Sequence, residues 1–445
     1  MGIPASLSVG TQARSPLRSR LFSSLAARRR QCQAIVFAAL FLTCLFRYWI
    51  GFDLNDSVTK HSWEMARIAV SLHEKGQFAN PFSLLDTGPS AHLAPAFPVF
   101  MALVMRTFGE KAAGIFALKV IAALIVALQV ALFPLFSSAL GMGRLNGFIA
   151  ACIWILAKPM MQYDWESYYA ALLIAITCCI YRKYLDPRWQ DVGGVVWLLG
   201  CLMGFLILLI PTITLVLAAW LAWEIWRRKS LFVKTSLLPL VLLPALIISP
   251  WIIRNYLQFH RLMIRDNFGL ELSVSNNECA QFSLRLDLDS GCFVHPSVSV
   301  TEARKVLEMG EVQYNDMRLR EAIHWIVRHP TRFIGLTVRR FIAFWFPTEN
   351  GTIHYAGTGR RQERVLIYLM ALFSLKGLLI LYRLDVKSAA ICMSCLALFP
   401  LVYYITQFVF WHNYPIMWLT FLLGTFPMTR YAGSRLRAVR SRLAL

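Results

Sequence analysis

The chain is divided into a series of apolar runs, several of them close to the roughly 20 residues that carry a helix across a bilayer. Residues 35–50, 112–137, 192–210 and 387–405 are examples. In hydrocarbon every backbone N–H and C=O must be paired within its own segment, so such runs are helices. Composition points the same way. Of the 445 residues 57% are hydrophobic and only 16% charged, with a mean hydropathy of +0.54. That is too little charge to cover a soluble surface. The sequence predicts an all-α polytopic membrane protein. The run 35–50 lacks a small-residue cleavage site and reads as a retained span, not a signal peptide.

The net charge of +21 does not point to nucleic acid, because the basic residues gather at the ends of apolar runs. The N-terminal tail carries Arg14, Arg18, Arg20 and Arg28 to Arg30 without an acid. The C-terminal tail carries Arg430, Arg435, Arg437, Arg440 and Arg442, again without one. By the positive-inside rule both termini are expected in the cytoplasm, with an even number of crossings. Ten are expected: 35–50, 112–137, 146–161, 169–180, 192–210, 212–226, 237–248, 365–382, 387–405 and 413–428. The block 94–108 is short and opens with Pro95 and Pro98. If it dips in without crossing, Arg144 stays cytoplasmic.

Three modules follow. Residues 1–250 form a membrane module with a polar first outer loop at 51–98. Residues 251–364 form an outer segment, and 365–445 hold the last spans and a basic tail. The outer segment shows sheet-like alternation around its cysteines, then a helical run over 301–329. An amphipathic stretch at 331–346 sets Arg332, Arg339 and Arg340 against Phe333, Ile334, Phe341 and Trp345, a pattern that suits a helix lying in the bilayer interface. Cys279 and Cys292 fall in this outer segment, where a disulfide can form. Cys392 and Cys395 have CxxC spacing inside an apolar run and read as packing residues.

The first outer loop holds the first acids of the chain, Asp53, Asp56, Glu64, Glu74 and Asp86, together with His61, Trp63 and His92. The second outer loop reads QYDWESYY and supplies Asp164 and Glu166. Taken singly, each acid reads as a solvated loop residue. Taken together on one face, the two sets suit general-base chemistry, or metal-assisted activation of an acceptor hydroxyl. No spacing of histidine and carboxylate compels a metal, so a divalent ion is left open. Arg254, Arg261 and Arg265 follow a span at headgroup height and suit a lipid phosphate. His412 stands at the outer end of the last span, with a buried hydrogen-bonded histidine as the plainer reading. Walker A, GxSxG and HExxH sequences are absent, which argues against an ATP-driven pump or a hydrolase of those kinds.

Three stretches carry a resemblance. They are WEMARIAVSLHEKGQFANPFSLLDTGPSAHLAPAFPVFMALVMRTFG, SPWIIRNYLQFHRLMIRDNFGLELSVSNNE and HPSVSVTEARKVLEMGEVQYNDMRLREAIHWIVRHPTRFIGLTVRRFIAFW. Together they cover roughly residues 60–110 and 250–346 of the chain. They resemble the bacterial membrane glycosyltransferases of the GT-C fold, relatives of the protein O-mannosyltransferases and of the lipid A aminoarabinose transferase. The resemblance implies a polyprenyl-phosphate-linked sugar as donor and transfer with inversion at C1. The acceptor would be a lipid, a glycan or a protein, and the location the cell (inner) membrane.

In that family an acid of the first outer loop acts as base or binds the acceptor. Here it could be Asp53, Asp56 or Glu64. A second acid maps to Glu166, with Asp164 beside it. The family's Arg-Tyr pair before the last outer proline is replaced by His412-Asn413-Tyr414-Pro415. His412 or Arg254 would then take over phosphate binding, with Arg265 as a further cation. Two other readings share the topology: a polymerase or ligase of lipid-linked saccharides, and a transporter of them. A transporter would want charges inside its spans, where Lys119 and Lys376 are the main ones.

Overall fold

The computed structural model describes residues 16–49, 64–159, 163, 165–190, 193–227, 237–347 and 361–443. Among these the regular structure is helical, with two isolated β-bridges, Ala79 to Pro89 and Ser283 to Phe408. Each of the ten predicted runs is built on a helix. In chain order the first helices are α1 (Pro16–Trp49), α2 (Glu64–Lys75), α3 (Ala96–Phe108), α4 (Ala112–Ala131), α5 (Phe133–Ala139), α6 (Arg144–Ala157) and α7 (Ser167–Tyr184). Then come α8 (Gly193–Leu209), α9 (Thr214–Arg227) and α10 (Leu238–Phe259). The polar segment folds as α11 (Phe268–Ser275), α12 (Leu284–Asp289), α13 (Val300–Met309), α14 (Glu311–Arg328) and α15 (Pro330–Trp345). The chain then continues with α16 (Arg361–Leu384), α17 (Val386–Leu398), α18 (Leu401–Ile405) and α19 (Tyr414–Leu443). Among the described residues, five stretches are long and apolar enough to cross a membrane: Arg30–Trp49, Ala112–Ala131, Leu238–Phe259, Arg364–Leu384 and Val386–Ile405.

Contacts at the helix ends fix the directions. In the last turn of α1, Trp49 meets Phe116 in the first turns of α4 edge-on at 5.8 Å. Tyr48 Oη donates to the carbonyl of Pro159, just beyond α6, at 2.9 Å. These ends lie at one pole of the bundle, here called the site pole. At the other pole Arg182, in the last turn of α7, pairs with Asp385, the N-cap of α17, at 2.8 Å.

Polar side chains and glycines make the interior specific. Asn146 of α6 donates to the carbonyl of Leu422 in α19 at 2.9 Å and accepts from Thr425 and Thr429. In hydrocarbon such bonds have no competing water. Helix α16 lies on α19 closely enough that a Cβ at Gly377 would run into the backbone of Leu423.

The structure departs from the sequence expectations in three places. The sheet-like alternation around the cysteines folds between them as α12, whose N-cap Ser283 accepts from Leu286 N–H. Backbone pairing there is limited to the single bridge from Ser283 to Phe408. The run 301–329 is two helices, broken at Gly310 with φ +85°, a conformation that glycine reaches without a Cβ penalty. Helix α10 continues past 248 to Phe259, with Pro244 and Pro250 inside it. The expected module boundary at 250 therefore falls within a continuous helix. Cys279 and Cys292, which fall where a disulfide can form, are joined by one.

Candidate active site around Arg265

Arg265 lies between α10 and α11 at the site pole. Its Nε–H donates to the carbonyl of His92 at 3.1 Å. Among the described residues, no carboxylate closes an ion pair with it. Its charge nevertheless acts on Glu64, Glu166, Glu271, His92 and His412. These residues come from the start of α2, the N-cap of α7, the middle of α11, the loop before α3 and the turn before α19. The segments after α1 and α6, helix α11 and the turn before α19 therefore all lie within reach of one guanidinium's charge.

Burial dominates the chemistry of the acids. It pushes the Glu166 carboxyl up to about 7, against the pull of its own backbone hydrogen bond and of Arg265. Among the described residues, Glu166 Oε2 is buried without a hydrogen-bond partner. Burial raises Glu271 to about 7 as well, with Arg265 pulling it down and Glu64 pushing it up. Glu64 is raised by burial and held back by Ser297, whose hydroxyl donates to its Oε1 at 2.8 Å. Carboxyls at about 7, as in Glu166 and Glu271, exchange a proton near neutral pH, as a general base requires.

The histidines are held neutral. Burial, then Arg265, lowers His412 to about 3. Its ring stacks on Tyr403 at 4.2 Å, and its Nδ1 accepts weakly from Val409 N–H at 3.4 Å. Burial and Arg318 lower His295 to about 3. Burial, His295 and Arg265 hold His92 well below its ordinary value.

Glu64, His92 and His295 are all buried, and one ligand atom from each lies within 4.8 Å of the others. A carboxylate with two neutral imidazoles suits a divalent ion such as zinc, and among the described residues His92 Nδ1 is buried with no hydrogen-bond partner. His295 Nδ1 accepts from Ser297 N–H at 3.1 Å, so its proton sits on Nε2, which faces Glu64 Oε1 at 3.8 Å. An ion bound at Nε2 would move that proton to Nδ1 and displace the Ser297 contact.

The other candidates separate clearly. Arg254 is tied into the fold: its guanidinium donates to the carbonyls of Ser90 at 2.7 Å and Phe78 at 2.9 Å, and it lies against the rings of Trp251, Phe259 and Phe78. Arg261 is held by both oxygens of Asp316. Asp53, Asp56 and Asp164 lie outside the described residues. Glu271, His295 and Glu311 were not singled out by the sequence. Glu311 reaches from α14 to accept from Ala91 N–H at 2.7 Å, and burial pushes it up to about 8. No motif marks these three; each belongs to the site only through the packing of the outer segment on the first loop.

No family model and no curated protein matches the chain. Solved structures do. The apo oligosaccharyltransferase from Archaeoglobus fulgidus aligns with a TM-score of 0.53 and 13% identity over 92% of this chain, which spans 52% of that protein's length. ArnT from Cupriavidus metallidurans, bound to undecaprenyl phosphate, aligns at 13% identity over 90% of this chain and 78% of its own, with a TM-score of 0.36. Its apo state aligns at 12% identity over 89% and 77%, with a TM-score of 0.37. At such identities the archaeal likeness speaks for fold alone. The chain is an all-α polytopic membrane protein of the GT-C fold.

Proposed function

We propose that this protein transfers a sugar from a polyprenyl-phosphate-linked donor to an acceptor hydroxyl or amine on a lipid, glycan or protein. The site pole is then the outer face of the cell (inner) membrane, and both termini are cytoplasmic. One observation carries the reading: three buried carboxyls and a neutral histidine, drawn from both loops, the outer segment and the turn before α19, all feel the charge of an arginine that no described carboxylate pairs with. An unneutralised guanidinium beside a membrane surface suits a phosphate.

In this reading Arg265, with His412 at its side, holds the phosphate of the donor. The acceptor attacks C1 from the face opposite the phosphate, the bond from C1 to the phosphate oxygen breaks, and configuration inverts. Glu166 takes the acceptor proton, and its carboxyl near 7 is ionised often enough to do so. Asp53, Asp56 and Asp164 remain candidates for the same task or for acceptor binding. Arg254, fixed to the loop carbonyls, keeps Ser90 and its neighbours in place. Glu64, His92 and His295 are the residues that would hold a divalent ion, which when bound would add positive charge near the leaving phosphate.

The test is mass spectrometry of lipid-linked sugars and of surface glycans in cells with and without the protein. Accumulation of one polyprenyl-phosphate sugar in its absence, reversed by wild type but not by Glu166→Gln, supports the reading. Unchanged pools of every such sugar would overturn it.

A further inference from the structure

Helix α15 leaves an apolar face bare. Ile334 is 60% exposed, Val338 50%, Phe341 47% and Ile342 51%. The opposite face is locked. Arg340 is fully buried, and its guanidinium donates to the carbonyl of Ser275, to Asn276 Oδ1 at 3.1 Å and to the carbonyl of Ile405 at 3.2 Å. Val338 and Ile342 stand two residues either side of Arg340, so on a helix of 3.6 residues per turn they point away from it. Exposed Arg332 and Arg339 lie together along one edge of the bare arc.

The lower end of α15 reaches bilayer depth. Trp345 Nε1 donates to Tyr404 Oη at 2.9 Å, and Tyr404 closes the candidate span Val386–Ile405. Tyr368, near the start of the span Arg364–Leu384, donates to the carbonyl of Pro347 at 2.6 Å. Near Tyr368, α16 exposes its own apolar side chains, Val365, Leu369 and Leu372.

We infer that α15 docks on the phospholipid leaflet at the site pole, with Ile334, Val338, Phe341 and Ile342 among the acyl chains and Arg332 and Arg339 at the phosphates. The docking fixes the height of the site. Through Arg340, α15 grips Ser275 and Asn276, which end the helix that carries Glu271 and follows Arg265. That last link, from height to chemistry, rests on the proposed function; the docking itself does not.

The experiment needs no substrate. The exposed free cysteines Cys32 and Cys201 are replaced by serine, and a nitroxide is placed at Val338→Cys, at Ile342→Cys, or at Glu308→Cys on exposed α13 as a water-facing control. Collision rates with oxygen and with a neutral nickel chelate are read in full-length protein, in vesicles of phosphatidylethanolamine and phosphatidylglycerol. Docking predicts that oxygen exceeds the chelate at 338 and 342 and that the order reverses at 308. Chelate access at 338 and 342 overturns the inference. So does protection from both relaxers, whether spin–spin broadening shows a second copy on this face or its absence shows another part of the chain. Retained docking in a protein that moves no sugar would sink only the proposed function.

Discussion

The Nε–H of Arg265 bonds to the carbonyl of His92 at 3.1 Å, across 173 positions of sequence. The bond ties the guanidinium to the loop before α3, while its charge acts on Glu64, Glu166 and Glu271. Removing the cation should therefore affect phosphate binding and carboxyl ionisation together. Arg265→Ala is expected to lower transfer by about 100-fold or more, with Arg265→Lys intermediate because it keeps the charge but loses the planar fork. Steady-state rates on a polyprenyl-phosphate sugar would check this. Full activity in Arg265→Ala would remove it from the site.

Glu166 at about 7 gives a direction for pH. A general base works ionised, so the rate should rise with pH through about 7. Glu166→Gln should lose roughly 100-fold to 10,000-fold and erase that limb. A wild-type rate that falls over the same range would assign Glu166 the role of acid instead.

Stability should run the other way. In the folded protein Glu166 and Glu271 keep their protons to about 7 and Glu311 to about 8, whereas an unfolded glutamate loses its proton at about 4.3. Between those values the folded state binds more protons, so raising pH destabilises it, and the loss is complete above the folded values. Melting temperature in detergent is expected to fall between about pH 5 and about pH 8. Glu271→Gln and Glu311→Gln should each flatten the curve. A melting curve that rises with pH would contradict the burial described for these acids.

Zinc titration with elemental analysis tests the Glu64, His92 and His295 group. One equivalent is expected, lost in His92→Ala and His295→Ala and weakened in Glu64→Gln. No uptake by wild type would leave Glu64 and His295 linked through Ser297 and remove the metal from the site.

Two contacts should show in stability alone. Reducing the disulfide between Cys279 and Cys292, which lie 13 positions apart, should cost about 3 kcal/mol by the loop-entropy relation, read as loss of protease resistance in the outer segment. Gly377→Ala should cost about 1–3 kcal/mol by forcing α16 off α19, read as a lower melting temperature. An unchanged Gly377→Ala protein would mean that the two helices pack less closely than described.

The membrane helices were legible because hydrophobic runs of span length leave the backbone few choices. Among the site residues, Glu166 and Arg265 were legible from their loops, and Glu64 as one acid among several. Glu271 lies in FGLELSVS, an apolar stretch with no motif to single it out; it enters the candidate site only through the folding of α11 beside Arg265. His295 and Glu311 carry no local signal: one gains its role from Glu64, far away in the chain, the other from the peptide of Ala91. Arg254 looked like a phosphate ligand because a lone arginine after a span does not reveal which carbonyls it will find.

His412 joins Glu64, Glu166 and Glu271 within reach of Arg265 only after the turn before α19 has packed on the start of α7, where Ser167 donates to the carbonyl of Trp411 at 2.9 Å. During synthesis the earliest of them must wait for nearly the whole chain to be inserted. A ribosome-bound or C-terminally shortened chain would carry both acid-bearing loops and still lack the turn that completes their surroundings.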